Sequence, residues 1–179
     1  MKVENYMSMS IEEYIAGIYR LRYITRYANR IRVRDEDVAQ HSFFVSAIIL
    51  KLHDDYKFDL GLALQLAVSH DITEADLSDV AHDVKQKHPK LAEEIKNAEI
   101  KELAKYPAAV IKGSVLFNAC STVEGLIANL ADVIQVRQYV LSELSIGNST
   151  LSDIDIDSRS RMASLRKELK PHVKLKKDS

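Results

Sequence analysis

Apolar residues recur at three- and four-residue intervals along most of this 179-residue chain, which is the spacing of an amphipathic α-helix. Only five glycines and three prolines interrupt the pattern, and few segments alternate as a half-buried strand would. The length is typical of one domain with a sizeable core. The sequence therefore predicts an all-α fold, a helical bundle that residues 1–179 form as a single domain.

Residues that favour helix termini place the boundaries of the predicted helices. Ser10 and Glu13 have the spacing of a capping box, and residues 121–124 contain a second one. Asp37 is the predicted cap of a second helix, and Asp59 that of a third, which is predicted to run to about Glu74. A fourth helix is predicted over residues 89–104 and a short fifth after Pro107. A long helix over residues 123–145, closed by Gly147, and a last helix over residues 158–169 complete the prediction.

The charge and the cysteine content exclude several classes of function. The formal net charge is −1, so the chain lacks the basic field that would make duplex nucleic acid a partner. Cys120 is the single cysteine, which excludes a disulfide framework and fits a reducing, cytoplasmic location. We expect no signal peptide after Met1 and no membrane partner, because no apolar run approaches the ~18 residues of a membrane span.

Four polar residues stand where the helical period predicts buried apolar ones. His41 lies on the apolar side of the second helix, and His70 lies on the apolar face of the third with Asp71 next to it. Asp132 is embedded in the apolar segment 126–134. A buried carboxylate costs several kcal/mol or more unless a partner compensates it. A lone histidine on such a face is usually a hydrogen-bonded core residue. The order His, His-Asp, Asp is more specific, and it predicts a site for a first-row divalent metal ion.

The same residues resemble the H…HD…D signature of the HD-domain phosphohydrolase superfamily. The resemblance extends to the small bacterial 5′-deoxynucleotidases of that superfamily over about residues 10–150. The matching positions are Arg26-Tyr27, residues 34–42, residues 70–74, Asp79, Val84-Lys85, Ala131-Asp132, Glu143-Leu144 and Gly147-Asn148. The resemblance implies an HD-type bundle with a core over about residues 10–150, followed by a C-terminal helix and basic tail over residues 151–179.

The resemblance also implies roles for the residues around the metal site. The implied metal ligands are His41, His70, Asp71 and Asp132, for one Co²⁺, Mn²⁺ or Zn²⁺ ion. Glu74 and Asp79 would be catalytic, and the implied substrate-binding residues are Arg26, Tyr27, Arg34 and Lys85. The substrate would be a small nucleotide, and the assembly a homodimer or higher homo-oligomer.

Three departures from the family pattern bear on the substrate. Tyr27 replaces a tryptophan implicated in sugar selection, and Asn129 stands where relatives often carry a phosphate-binding lysine. Residues 78–81 replace a Gly-Asp-Leu-Pro turn.

Two enzymatic functions therefore remain open. One is a 5′-deoxynucleotidase acting on deoxynucleoside monophosphates, and the other is a dNTP triphosphohydrolase like the related phage dATP enzymes. The lack of a lysine at Asn129 mildly favours the shorter substrate. A non-catalytic helical regulatory module with a vestigial site is a remoter alternative, because a decayed site should have lost at least one of its residues. A helix-turn-helix DNA-binding protein fits the net charge less well.

Overall fold

The computed structural model describes residues 9–80 and 82–174, and this part of the chain contains nine α-helices. Their bounds are α1 Ile11–Arg20, α2 Val38–Asp55, α3 Leu60–Ser69, α4 Glu74–Leu77, α5 His82–Lys87, α6 Pro89–Leu103, α7 Ala108–Ala119, α8 Val123–Ser145 and α9 Ser152–Glu168. Within these residues, β-structure is limited to two isolated bridges. The prediction of an all-α fold is confirmed.

The predicted N-caps of the first three helices are confirmed. Ser10 Oγ accepts from the backbone N–H of Glu13, whose carboxylate accepts from the N–H of Ser10 in return. Asp37 caps α2 and forms a capping box with Gln40. Asp59 Oδ1 accepts from Leu62 N at 3.0 Å. Each cap satisfies backbone donors that the first helical turn leaves without an intrahelical partner.

The prediction that the third helix continues to about Glu74 is wrong. Helix α3 ends at Ser69, and residues 70–73 form tighter turns in which Ile72 N bonds to Ser69 O and Glu74 N bonds to Asp71 O. These hydrogen bonds join residues i and i+3, as in a 3₁₀-helix, instead of residues i and i+4, as in an α-helix. His70 and Asp71 therefore lie at a break between two helices, and Glu74 begins the separate helix α4.

Several other predicted boundaries also differ from the structure. Helix α5 was not predicted, and the last helix begins at Ser152 instead of residue 158. The predicted capping box at residues 121–124 is wrong, because Thr122 caps α8 without a reciprocal bond from Glu124. Glu124 Oε1 instead accepts from Asp59 N at 2.9 Å, which ties the start of α8 to the start of α3. A Glu side chain can serve either purpose, and tertiary packing decides between them.

The core lies between α2, α3 and α8, with α7 packed on α3 and α9 packed on α8. Its largest buried cluster is Val45, Ile49, Leu52, Ala63, Leu66, Ala67, Ile127, Ala128, Leu130, Ala131 and Leu169. Each fully buried large aliphatic side chain contributes about 1.5–3 kcal/mol to folding. This cluster fixes α2, the end of α3 and the middle of α8 relative to one another, and these are the three places that carry His41, His70 and Asp132.

The loop over residues 24–37 is tied to the bundle by a buried carboxylate. Glu143 on α8 accepts from Val33 N at 2.7 Å, from Arg34 N at 2.9 Å and from Asn148 Nδ2 at 2.7 Å. Asn148 Nδ2 also donates to Ile31 O at 3.0 Å. Because Glu143 is fully buried, this bonding is what allows a charge at its position. It fixes the loop that carries Arg26 and Tyr27.

Among the described residues, no single helix is long and apolar enough to span a membrane; α7 and α8 pass such a test only as a pair, bent by 79°.

We expect Gly113→Ala to destabilise the fold where α7 crosses α3. A Cβ atom at Gly113 would lie 2.6 Å from Ser69 Oγ and 2.9 Å from Gln65 O, so the helices would have to separate beside His70. Such overpacking costs about 1–3 kcal/mol. Thermal unfolding should show a melting temperature lowered by roughly 2–10 °C. The control is Gly61→Ala in α3, where the nearest atom is 3.4 Å away, and an unchanged melting temperature for Gly113→Ala would contradict the argument.

We expect Glu143→Gln to weaken the fold in a pH-dependent manner. Burial acts to raise the pKa of Glu143, but the bonds from Val33, Asn148 and Arg34 outweigh it and lower the pKa. A carboxylate with a lowered folded pKa stabilises the protein above its unfolded pKa, about 4.3, and the stabilisation is lost as pH falls through the folded value.

Urea unfolding at pH 7 should show a free energy of unfolding about 1–3 kcal/mol lower for Glu143→Gln than for the wild type. The deficit should shrink below about pH 4. Glu94→Gln at an exposed position of α6 is the control. A deficit equal at both pH values would show that the charge of Glu143 is not what holds the loop.

Candidate active site

Two histidines and two aspartates from α2, α8 and the turn after α3 converge at one point. His41 Nε2 lies 3.1 Å from His70 Nε2 and 3.3 Å from Asp132 Oδ1. Asp71 Oδ2 lies 3.1 Å from His70 Nε2 and 3.6 Å from His41 Nε2. The structure thus brings together the four residues that the sequence predicts as metal ligands, although they are up to 91 positions apart (41 to 132).

Hydrogen bonds on the far side of each imidazole fix which nitrogen faces this point. His70 Nδ1 lies 2.7 Å from the carbonyl oxygen of Ala67, and His41 Nδ1 lies 2.6 Å from Gln135 Oε1. Both oxygens are acceptors, so each Nδ1 is the donor and, in a neutral ring, each Nε2 carries a lone pair. Two lone pairs and two carboxylates therefore point at the same small space.

This donor set fits a divalent transition-metal ion. One ligand atom each from His41, His70 and Asp132 all lie within 4.8 Å of one another, and Asp71 Oδ2 adjoins them. Mixed imidazole and carboxylate ligands are typical of Zn²⁺, Mn²⁺ and Co²⁺. Burial alone would lower the pKa of His70, but Asp71 and Asp132 raise it above its ordinary value. The cluster thus attracts positive charge, which a proton or a metal ion can supply.

Glu74 and Asp79 lie beside the cluster, along the same cavity. Glu74 Oε2 is buried and makes no hydrogen bond to any of the residues that the structure describes. Burial and the charges of Asp71 and Asp79 raise the pKa of Glu74 well above its ordinary value. Burial also raises the pKa of Asp79, whose carboxylate accepts a hydrogen bond from the backbone of Tyr27. Both carboxyl groups can therefore hold a proton at a higher pH than an exposed carboxylate can.

The predicted substrate-binding residues divide into two groups. Arg26, Tyr27 and Lys85 line the cavity, and Arg26 Nη1 donates to Asp71 Oδ2 at 3.2 Å. Lys85 reaches the cavity from α5, and its Nζ lies 3.4 Å from Glu99 Oε1. The side chain of Arg34 is exposed and lies outside the cavity lining, while its backbone is held by Glu143 and Tyr139.

Tyr27 has a backbone conformation that side-chain-bearing residues rarely adopt, with φ of +55°. Its ring stacks face to face on that of Tyr139, with centroids 5.2 Å apart and planes at 2°. Strained backbone of this kind persists where the surroundings determine it and is common at functional sites. The stacking on Tyr139 and the bond to Asp79 are two interactions that hold Tyr27 there.

The cavity has a volume of about 480 Å³, large enough for a nucleotide. One wall is formed by α9, through Asp153, Ile154, Asp157, Ser158 and Arg161, and Arg30 pairs with Asp153 at 2.9 Å. Sequence reasoning missed this wall, because it placed the start of the last helix at residue 158. The available signal was the four-residue spacing of Asp153, Asp157 and Arg161, which marks one polar helix face.

The sequence model of the family described as 5′-deoxynucleotidase YfbR-like matches residues 13–175 of this chain. The chain belongs to this family. It is accordingly a hydrolase of phosphoric esters, of the metal-dependent phosphohydrolase class. No curated relative matches the chain. The resemblance drawn from residues 26–148 is confirmed.

Solved structures share the fold of this family member. A conserved hypothetical protein from Pyrococcus furiosus is 24% identical with a TM-score of 0.71, over 88% of this chain and 99% of that one. A Pyrococcus horikoshii OT3 protein has the same identity and TM-score, over 88% and 95% of the two chains. An HD-domain phosphohydrolase from Listeria innocua is 18% identical with a TM-score of 0.62, over 89% and 86%. These likenesses confirm the HD-type fold, while the single domain over residues 1–179 stays a prediction.

Asn129, at the position where family members often carry a lysine, lies away from the cavity lining. Its Nδ2 donates to Phe117 O and to Gly125 O, each at 3.0 Å. The side chain therefore joins α7 to α8, beside Phe117, whose ring lies 4.7 Å from that of His70. Asn129 therefore stabilises the packing of α7 against α8 next to the site, and it adds no positive charge to the cavity.

We expect Asp132→Asn to abolish metal binding while leaving the metal-free fold nearly intact. The amide keeps the size of the side chain but removes an anionic ligand next to His41. At a metal concentration 100 times the dissociation constant, the wild type should gain about 2.7 kcal/mol, or roughly 5–10 °C in melting temperature.

The measurement is thermal unfolding of both proteins in EDTA and in Co²⁺. Asp157→Asn, an exposed carboxylate lining the same cavity, is the control and should keep the gain. A full Co²⁺-dependent gain in Asp132→Asn would exclude Asp132 from the ligand set.

Proposed function

We propose that this protein is a 5′-deoxynucleotidase that hydrolyses deoxynucleoside 5′-monophosphates to deoxynucleoside and inorganic phosphate. The observation that carries the proposal is the convergence of His41 Nε2, His70 Nε2, Asp71 and Asp132 at one end of the cavity, with Arg26 bonded to Asp71. A cation site beside an arginine matches the charge and the geometry of a phosphate monoester. Membership of the 5′-deoxynucleotidase family supports the same substrate class.

The proposed ligands of a single divalent ion are His41, His70, Asp71 and Asp132. Their nitrogen and oxygen donors favour Mn²⁺, Co²⁺ or Zn²⁺. When bound, the ion would polarise a phosphoryl oxygen and make water a stronger acid. Arg26 then supplies a guanidinium at the edge of the site, where its Nη1 can pass from Asp71 to a phosphate oxygen. Lys85 contributes a second positive charge from α5.

Glu74 and Asp79 are the proposed proton-transfer residues. The pKa of Glu74 is raised, and its Oε2 has no hydrogen-bond partner in the described part of the chain; both features suit a group that takes a proton from water at that atom. Asp79 is oriented by the backbone of Tyr27 and can hold a proton for the leaving oxygen of the nucleoside. A general acid or base supplies about 10²–10⁴-fold of rate.

Tyr27 is the proposed sugar-contacting residue. Tyr27 lines the cavity, and its ring is held in place because it stacks on that of Tyr139, in the same apolar cluster as Ile154. Tyrosine is smaller than the tryptophan typical of the family, so discrimination against a 2′-hydroxyl should be weaker here. Asn129, held by Phe117 and Gly125, extends no positive charge along the cavity, which favours a monophosphate over a triphosphate.

The family resemblance further supports two features of the proposal. They are a homodimer or higher homo-oligomer and a cytoplasmic location. Arg34 remains a proposed phosphate-binding residue, although a phosphate would meet its exposed side chain outside the cavity lining.

We expect the protein with added Co²⁺, Mn²⁺ or Zn²⁺ to release inorganic phosphate from dAMP faster than from AMP. The reason is the family resemblance at Arg26-Tyr27, together with the place of Tyr27 in the cavity lining. The measurement is chromatography of the products from dNMPs, NMPs and dNTPs, with EDTA as the control. Release of triphosphate from dATP as the main reaction would instead establish the triphosphohydrolase. No hydrolysis of any nucleotide by metal-loaded protein would favour a regulatory module.

We expect Glu74→Gln to lower turnover of dAMP by about 10²–10⁴-fold without lowering metal content. Glutamine keeps the size of the side chain but cannot take a proton at its amide. Turnover and elemental analysis are measured on the same preparation, with Glu93→Gln on α6, an exposed position, as the control. Loss of metal together with turnover would make Glu74 a ligand, and normal turnover would remove it from the mechanism.

A further inference from the structure

Two buried side chains outside the ligand set connect the metal cluster to Arg26. Gln135 lies one helical turn after Asp132 on α8, and its Oε1 lies 2.6 Å from His41 Nδ1. Its Nε2 donates to Glu36 Oε1 at 2.5 Å. The other oxygen of Glu36 lies 3.5 Å from Arg26 Nε. A continuous polar chain therefore runs from His41 through Gln135 and Glu36 to Arg26.

This series of hydrogen-bonded side chains is shielded from water, so its polar groups depend on one another for hydrogen-bond partners. His41 is fully buried, and Gln135 and Glu36 are only 4% and 6% exposed. When a buried donor or acceptor loses its partner, the folded protein is destabilised by the full desolvation penalty of that group. Glu36 Oε2 and Arg26 Nε have no hydrogen-bond partner within the described residues and face each other at 3.5 Å. Glu36 is thus both the counter-charge of Arg26 and the acceptor for Gln135.

The direction of the hydrogen bonds follows from the carboxylate. A carboxylate accepts and does not donate, so the amide nitrogen of Gln135 must face Glu36 and the amide oxygen must face His41. That oxygen then requires a proton on His41 Nδ1. In the neutral ring, His41 Nε2 is left with its lone pair directed at His70 and Asp132. If the amide turned over, His41 would be driven toward the opposite tautomer, which cannot ligate through Nε2.

We propose that Gln135 and Glu36 are positioning residues, which hold His41 in its metal-binding tautomer through one hydrogen-bonded bridge anchored on Arg26. This inference rests on the metal site of the proposed function and adds two residues to it. Glu36 acts through another residue, because it accepts the hydrogen bond from Gln135, which in turn bonds to His41. Groups that orient a ligating histidine typically change metal affinity by 10–100-fold when they are removed.

The test compares Gln135→Met, Glu36→Leu and Glu36→Gln. Gln135→Met removes the acceptor for His41 and keeps an unbranched side chain. Glu36→Leu removes the acceptor that orients the amide of Gln135, whereas Glu36→Gln keeps an acceptor oxygen at that position. Gln138→Met, an exposed glutamine of the same helix, is the matched control.

Two readouts are measured on folded, full-length protein. The first is the dissociation constant of Co²⁺ alone, from its visible absorption spectrum. The second is the tautomer of His41, from the ¹⁵N chemical shifts of its ring.

We expect Gln135→Met and Glu36→Leu to raise the Co²⁺ dissociation constant by about 10–100-fold and to lose the Nδ1–H form of His41. Glu36→Gln and Gln138→Met should keep values close to those of the wild type. This rescue by Glu36→Gln is what separates a positioning role from a merely structural one, since both Glu36 variants remove the charge facing Arg26.

Wild-type Co²⁺ affinity in Gln135→Met, with His41 still in the Nδ1–H form, would overturn the inference. Equal affinities in Glu36→Leu and Glu36→Gln would overturn the role of Glu36. If Glu36→Leu does not fold, because it leaves Arg26 buried without its counter-charge, Gln135→Met decides the question alone. If the wild type hydrolyses dAMP while Gln135→Met keeps the wild-type Co²⁺ affinity and His41 tautomer, the inference about Gln135 fails and the proposed function stands. If the wild type binds no Co²⁺, the inference and the proposed function both fail.

Discussion

Two imidazole lone pairs and two carboxylates face one another across about 3 Å, and the rest of the molecule holds this arrangement in place. Such groups repel unless a positive charge lies among them. The apolar cluster between α2, α3 and α8 fixes the backbones that carry His41, His70 and Asp132. The outer hydrogen bonds to Ala67 O and Gln135 Oε1 then turn both imidazoles toward the shared point. The bundle thus supplies the rigid backbone positions on which a metal site depends.

The second half of the site is built on the loop over residues 24–37 and not on a helix. Glu143 holds this loop at Val33 and Arg34, and a backbone hydrogen bond from Arg26 N to Glu36 O joins its two ends. The loop presents Arg26 and Tyr27 to the cavity, and α9 forms another wall that contacts this loop through the Arg30–Asp153 ion pair. The hydrogen-bonded and ion-paired side chains from His41 to Arg26 link the two halves, so the proposed phosphate-binding and metal-binding groups are organised by shared contacts.

The helical period predicted the fold class and pointed to His41, His70 and Asp132, because polar residues on apolar helix faces can be recognised from the sequence alone. Asp71 was added as the neighbour of His70 and by the family resemblance. The break after Ser69 was not predictable, since the sequence continues the helical pattern there, and the contacts of His70 with His41 and of Asp71 with Arg26 join segments distant in the sequence. Gln135 and Glu36 were missed because a glutamine and a glutamate are ordinary residues in a helix and a loop. Their roles appear only when α8 and residues 24–37 are brought together. The wall formed by α9 was missed because the last helix was predicted to begin at residue 158, whereas it begins at Ser152.

The central claim is that one divalent ion binds between His41, His70, Asp71 and Asp132. The most direct measurement is anomalous diffraction at the zinc absorption edge from crystals of the full chain grown with Zn²⁺. We expect one strong peak at this point, about 2.0–2.2 Å from His41 Nε2, His70 Nε2 and a carboxylate oxygen of each aspartate. A peak elsewhere in the protein, or an absence of zinc at this cluster in a crystal that holds it at other positions, would contradict the account.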